Sequence, residues 1–169
     1  MAVYLYGISS VQYGTSATGI GNFPSGVLLT TAPDTVKGSV TIEETEGSTT
    51  DFFVDQKFSP VRSLKTDEGS LTATFQFYDM TFATLAAFKG GTGNVSGYTH
   101  ATGYTTVDRA IALNLDSGQK LLLYNASCIT RIVGGGGRDK MFALEVKATP
   151  QLTTDNSVDW KIYQYGPLH

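Results

Sequence analysis

The strongest constraint on the fold is a strict two-residue alternation of apolar and polar side chains over residues 71–77. Because successive side chains of a β-strand point to opposite faces, this pattern predicts a strand with one buried and one solvated face. The apolar positions are Leu71, Ala73, Phe75 and Phe77. Weaker alternation recurs over residues 36–44, 52–58, 111–115, 120–133, 138–149 and 158–163. The chain is therefore predicted to be mainly β, as a β-sandwich or a rolled β-barrel.

Four consecutive glycines, residues 134–137, separate two of the predicted strands. Glycine adopts the positive φ values that tight reversals need, so this run predicts a short β-hairpin connection. In the strand that follows, we expect Phe142, Leu144 and Val146 to point inward. Two polar, glycine-rich segments, residues 9–32 and 90–105, carry little pattern and are predicted to be long loops.

Residues 80–89 are predicted to form one short α-helix that flanks the sheet. Asp79 can accept hydrogen bonds from the amides of the first turn. The segment contains no Gly or Pro, and Gly90 and Gly91 supply a left-handed exit. Apolar side chains recur every three or four residues and make one face expected to dock on the sheet: Phe82, Leu85, Ala86 and Phe88.

The residue types needed for catalysis are sparse. The single cysteine, Cys128, lies inside a predicted strand, where a buried and inert thiol is the usual outcome. His169 is the last residue given and His100 lies in a predicted loop with Thr and Tyr neighbours, so His100 is expected to be a solvated loop residue, and Cys128 has no histidine near it in sequence. Residues 155–159 lack the glycine and the distal glutamate of a calcium loop. We expect no catalytic residues, no cofactor and no metal, and therefore no enzyme.

The charge content narrows the class of partner. Charged residues make up 16% of the chain and the net charge is −3, against roughly 25% charged residues in typical soluble domains. The lysines and arginines are scattered, so no duplex-binding surface is predicted. The first residues lack a basic signal-peptide region, and no apolar run approaches the roughly 18 residues of a membrane span. We expect a soluble protein made in a cytoplasm, with no membrane partner.

The order of motifs in the middle of the chain carries a family resemblance. Residues 67–70, Asp-Glu-Gly-Ser, open the alternating strand, Asp79 precedes the helix, and Gly90-Gly91-Thr92 closes it. This order resembles the major tail tube proteins of long-tailed bacteriophages, within the superfamily that includes type VI secretion tubes. The resemblance covers residues 67–92, and elsewhere only strand number and length agree.

The resemblance implies a single tail-tube-like β domain over residues 1–169. Such subunits form ring-shaped hexamers that stack into a tube, and DNA passes through its lumen without specific binding. The implied partners are further copies of the chain and other tail proteins, such as the tape measure and the terminator. The implied location is the tail of a phage or prophage-derived particle, assembled in the bacterial host cytoplasm.

The resemblance also implies an extended arm or hairpin over residues 43–67 that contacts a neighbouring subunit. An alternative is that the large apolar residues of this segment fill the subunit's own core. The candidate interface residues are Phe52, Phe53, Val54, Phe58 and Arg62.

Three other functions remain open on the sequence. The chain is alternatively another virion component, such as a terminator, connector or decoration protein. It is alternatively a monomeric β-sandwich module that binds carbohydrate or protein through Tyr98, Tyr104 or Tyr163. An enzyme would need a site that forms only in the fold, around His100 or Cys128.

Overall fold

The chain is mainly β, as its alternating pattern predicts. A computed structural model describes residues 6–17, 28–53, 55, 58–65, 69–103, 106–135, 141–155 and 158–164. Within them, antiparallel strands and one short helix account for the regular structure. The strands are β1 (Ser10–Thr15), β2 (Thr30–Thr31), β3 (Thr41–Glu44), β4 (Thr49–Phe52), β5 (Arg62–Lys65), β6 (Leu71–Phe77), β7 (Thr92–Asn94), β8 (Gly97–Thr99), β9 (Val107–Asn114), β10 (Gln119–Val133), β11 (Ala143–Pro150) and β12 (Trp160–Gln164), and the helix is α1 (Phe82–Lys89).

The main sheet has eight strands in the order β2-β1-β9-β10-β11-β6-β3, with β12 also paired to β10. Strand β10 is 15 residues long and changes neighbours along its length. One edge pairs with β9 at residues 120–123 and 126–128. The other edge pairs first with β12, at residues 119–123, and then with β11, at residues 126–133. The register with β9 shifts between Leu123 and Ala126. Since such irregularities bend a strand, one long strand serves both parts of the rolled sheet.

Strand β6 has the predicted alternation, with Leu71, Ala73, Phe75 and Phe77 buried. The alternation predicted over residues 111–115 is replaced by burial on both faces of β9. A second apolar cluster covers its other face, so that even-numbered side chains are buried as well. This cluster contains Ala17, Ala110, Ala112, Leu122 and Tyr124.

The helix begins two residues later than predicted, and the prediction that Asp79 caps it is wrong. Thr81 is the N-terminal cap: its hydroxyl accepts a hydrogen bond from the amide of Thr84 at 3.1 Å. A threonine directly before the first helical residue reaches the free amides, which a side chain two residues earlier does not. The predicted glycine exit is present, since Gly90 has a φ of 75°.

Two residues of the predicted docking face reach the core. Leu85 and Phe88 are buried, whereas Phe82 is 41% exposed, so its placement on that face was wrong. Strand β7 packs on the backbone at the helix start: a Cβ on Gly93 would lie 2.0 Å from the carbonyl oxygen of Phe82. The same Cβ would lie 3.3 Å from the Cβ of Ala86, which therefore faces β7 rather than the sheet.

Three loop predictions need correction. The segment 9–32 contains β1 and β2, and the segment 90–105 contains the β7–β8 hairpin. Strands β10 and β11 do form a hairpin, but the pairing of Val133 with Ala143 leaves residues 134–142 as its connection. Phe142 therefore precedes the strand and is exposed, not inward. Val54, Tyr104, His169 and residues 66–68 and 136–140 lie outside the described residues.

Candidate interface: an exposed arm and an open groove

Strands β4 and β5 form a two-stranded ribbon, which we call the arm. Phe52 lies opposite Arg62 and Thr50 lies opposite Leu64. The amide of Val61 donates to the carbonyl oxygen of Phe52 at 2.8 Å and extends the ladder by one bond. Because paired residues of an antiparallel ladder share a face, Phe52 and Leu64 lie on one face of the arm. The opposite face carries Thr49, Asp51, Ser63 and Lys65.

The large apolar side chains of the arm are exposed. Phe52 is 49% exposed, Phe53 is 61% exposed and Phe58 is fully exposed. Val61 and Leu64 are exposed as well. The alternative that these phenylalanines fill the subunit's own core is therefore wrong for all three.

The base of the arm is fixed by a close crossing of two chain segments. The amide of Ser70 donates to Oγ1 of Thr45 at 2.9 Å, and the amide of Thr45 donates to the carbonyl oxygen of Ser70 at 3.0 Å. A Cβ on Gly69 would lie 1.7 Å from the carbonyl oxygen of Thr45. Only glycine leaves room for this approach, so Gly69 determines the point at which the arm leaves the sheet.

A groove of about 650 Å³ lies between β3 and β12. Its floor is made by Leu71 and Leu121, which belong to the main core. Its walls include Ile42 of β3, together with Trp160 and Ile162 of β12. Within the described chain, β3 pairs only with β6 and β12 pairs only with β10. Residues 6–8 and 35–38 also line the groove, so it is a space between the β3 and β12 edges of the sheet that these two segments border.

The groove has an apolar interior with one charge of each sign among its lining residues. Lys37 precedes β3 and Glu44 ends it, and both line the groove. Val40, Ile42 and Glu44 are two residues apart and therefore share the face of β3 that borders it. The sequence pattern predicted that Val40 and Ile42 share a face. It did not predict that β12, which is far away in sequence, borders the same groove.

The structure brings His100 and Cys128 into the lining of one pocket of about 350 Å³, beside the apolar side chains of Phe88 and Ile129. Burial raises the pKa of the Cys128 thiol to about 12, so the thiolate is disfavoured. His100 is exposed, and its Nδ1 lies 3.3 Å from the hydroxyl of Tyr98. No group of three His, Cys, Asp or Glu side chains suited to a metal occurs among the residues described.

The structure also gives the surroundings of the residues that were candidates for carbohydrate binding and for calcium binding. Burial raises the pKa of Tyr98, whose hydroxyl donates to the carbonyl oxygen of Gly90 at 2.7 Å, so this side chain supports the helix end. Tyr163 is exposed, with the amine of Lys161 at 6.0 Å from its ring centre. Asp159 accepts a hydrogen bond from the amide of Trp160 at 2.7 Å, which is local turn chemistry.

Comparison with protein-family models and with curated proteins found no match to this chain. In the part of the chain that the structure describes, no helix has the length and apolarity of a membrane span.

Proposed function

We propose that this chain is a structural subunit that assembles with copies of itself into rings. The rings stack into the tail tube of a phage or prophage-derived particle, whose channel conducts DNA without specific binding. The observation that carries this proposal is the arm, a projecting ribbon whose apolar side chains have no cover in the monomer.

An isolated two-stranded hairpin is at best marginally stable in water. A ribbon with an uncovered apolar face gains stability when another surface covers that face. Full burial of one phenylalanine contributes roughly 1.5–3 kcal/mol. Phe58 is fully exposed and Phe52 and Phe53 are about half exposed, so covering the three side chains contributes roughly 3–6 kcal/mol per arm. This contribution offsets the lower part of the entropic cost of association, which is roughly 4–15 kcal/mol.

The rest of the molecule supports the same proposal. The fold is mainly β with one flanking helix, which agrees with the architecture that the family resemblance implies. The low charge content leaves little electrostatic repulsion between copies. An arm that contacts a different surface of the next copy makes a head-to-tail interface, which closes into a ring after a fixed rotation.

Light scattering and negative-stain microscopy over a range of protein concentrations test the proposal. We expect rings or stacked tubes whose fraction rises with concentration. Phe58→Ser should reduce assembly without unfolding the subunit, because the side chain is fully exposed. Val95→Ser is the matched control, since Val95 is a fully exposed apolar residue at the β7–β8 turn. A monomer at every concentration, including in mixtures with tape measure and terminator proteins, would contradict the proposal.

Two other outcomes would point to the alternative functions. Single rings that never stack would favour a terminator or connector. A monomer with a bound glycan or peptide would favour a binding module, and the volume of the groove lies within the usual range of ligand pockets, roughly 300–1,000 Å³.

A further inference from the structure

We infer that the groove between β3 and β12 receives the arm of a second copy of this chain. This inference rests on the proposed self-assembly and adds the receiving surface. The occupant is the arm, with Phe52 of β4 and the fully exposed Phe58, which lies between β4 and β5, as its main contacts.

The groove and the arm match in polarity and size. The groove presents Ile42, Trp160 and Ile162 on its walls, and the arm presents phenylalanines. An apolar cavity of roughly 150 Å³ is large enough to hold one benzene ring. A groove of about 650 Å³ therefore has room for more than one aromatic side chain of the arm.

The arm of the same copy does not fill this groove. Glu44 lines the groove at the end of β3, and the chain then crosses at Thr45 and leaves the sheet as the arm. Phe52, Phe53 and Phe58 remain exposed, so they are not seated in their own groove. A second copy can supply the same side chains without this restriction.

The charges on the arm and in the groove also favour this docking. Arg62 lies opposite Phe52, on the apolar face of the arm, and Glu44 lies among the groove residues. Within the described part of the chain, neither of them has an ion-pair partner. Because Lys37 also lines the groove, the arm must place Arg62 nearer to Glu44 than to Lys37 for an ion pair between the two copies to form. Such a contact at the edge of an interface favours one orientation of docking over others.

Disulfide cross-linking between two single-site variants tests this contact. One tagged variant carries Phe58→Cys on the arm, and an untagged variant carries Ile42→Cys in the groove, where the native side chain is 41% exposed. The native Cys128 is buried, with a pKa of about 12, so it does not compete for oxidation. We expect mixed dimers at a yield about tenfold above the control, because docking raises the effective concentration of the two thiols. The control replaces Phe58→Cys with Val95→Cys.

A charge exchange gives a second, independent readout. Arg62→Glu and Glu44→Arg should each lower the assembled fraction, and a chain that carries both should recover it. Both positions are exposed, so the fold tolerates either change.

The two failures are distinguishable. If the protein assembles but shows neither a cross-link above the control nor recovery in the double variant, the groove is not the receiving surface and self-assembly still stands. If the protein never assembles, both proposals fail.

Discussion

Replacing Phe88 with alanine should cost far more folding stability than the same change at Phe58. Phe88 lies on α1 and is completely buried against the sheet. Its ring centre lies 4.7 Å from that of Tyr13, 5.9 Å from that of Phe77 and 6.2 Å from that of Phe75. This cluster joins the helix to β1 and β6, so its loss removes both buried area and ring contacts.

The expected size of the effect follows from burial. Truncation of a buried phenylalanine to alanine costs about 3–5 kcal/mol, including the cavity that remains. With a denaturant dependence of about 2 kcal/mol per molar urea, Phe88→Ala should lower the unfolding midpoint by roughly 1.5–2.5 M. Phe58 is fully exposed, and Phe58→Ala should change the free energy of unfolding by no more than about 0.5 kcal/mol.

The assay is urea unfolding of dilute monomer, followed by circular dichroism and by the fluorescence of Trp160, the only tryptophan in the sequence. Dilution keeps assembly from adding to the measured stability. Equal losses in the two variants would refute the reasoning, because they would place Phe58 in a packed environment. A loss below about 1 kcal/mol for Phe88→Ala would show that the helix is not docked as described.

The remaining predictions concern a thiol, a helix cap and an ion pair. Cys128 should react slowly with a thiol reagent at pH 8 in the folded protein and rapidly in urea, since burial raises its pKa to about 12; fast native reaction would contradict the described burial. Thr81→Ala should lower the free energy of unfolding by about 1 kcal/mol in urea titrations, because the cap of α1 is lost. A hydrogen bond from Arg131 lowers the pKa of Glu145, so the ionised carboxylate contributes stability that is lost as pH falls through that lowered pKa. Arg131→Ala should raise this pKa toward its ordinary value in an NMR titration, whereas an unchanged pKa would exclude the ion pair in solution.

Elements with a strong local period were predictable from the sequence. Strand β6 was found residue by residue, because its alternation is strict and one face meets the core. Strand β1 was missed, since Val11 and Tyr13 are its main apolar signal within a stretch rich in Ser, Thr and Gly. The β7–β8 hairpin was missed because its turn is built by a side chain: Oδ1 of Asn94 accepts hydrogen bonds from the amides of Ser96 and Gly97.

Of the two surfaces of the candidate interface, only the arm could be predicted from the sequence. The phenylalanines of the arm stand out in a segment with glycine, serine and proline, but whether they are covered depends on tertiary packing. The groove was not predictable. It requires Ile42 and Ile162 to face each other across a gap, and these residues are far apart in sequence and share no backbone pairing. No local pattern in β3 or in β12 predicts that the two strands border the same groove.

The pairing of β1 with β9 determines when this chain can finish folding. Ser10 lies opposite Asn114, so β1 is synthesised about a hundred residues before the part of β9 with which it pairs. Contacts between such distant residues form slowly, and β-rich topologies of this kind typically fold in milliseconds to seconds. A nascent chain that ends before β9 contains the whole arm but lacks the strands that complete the core. We therefore expect subunits to become competent for assembly only after translation has passed β12, which supplies a wall of the groove.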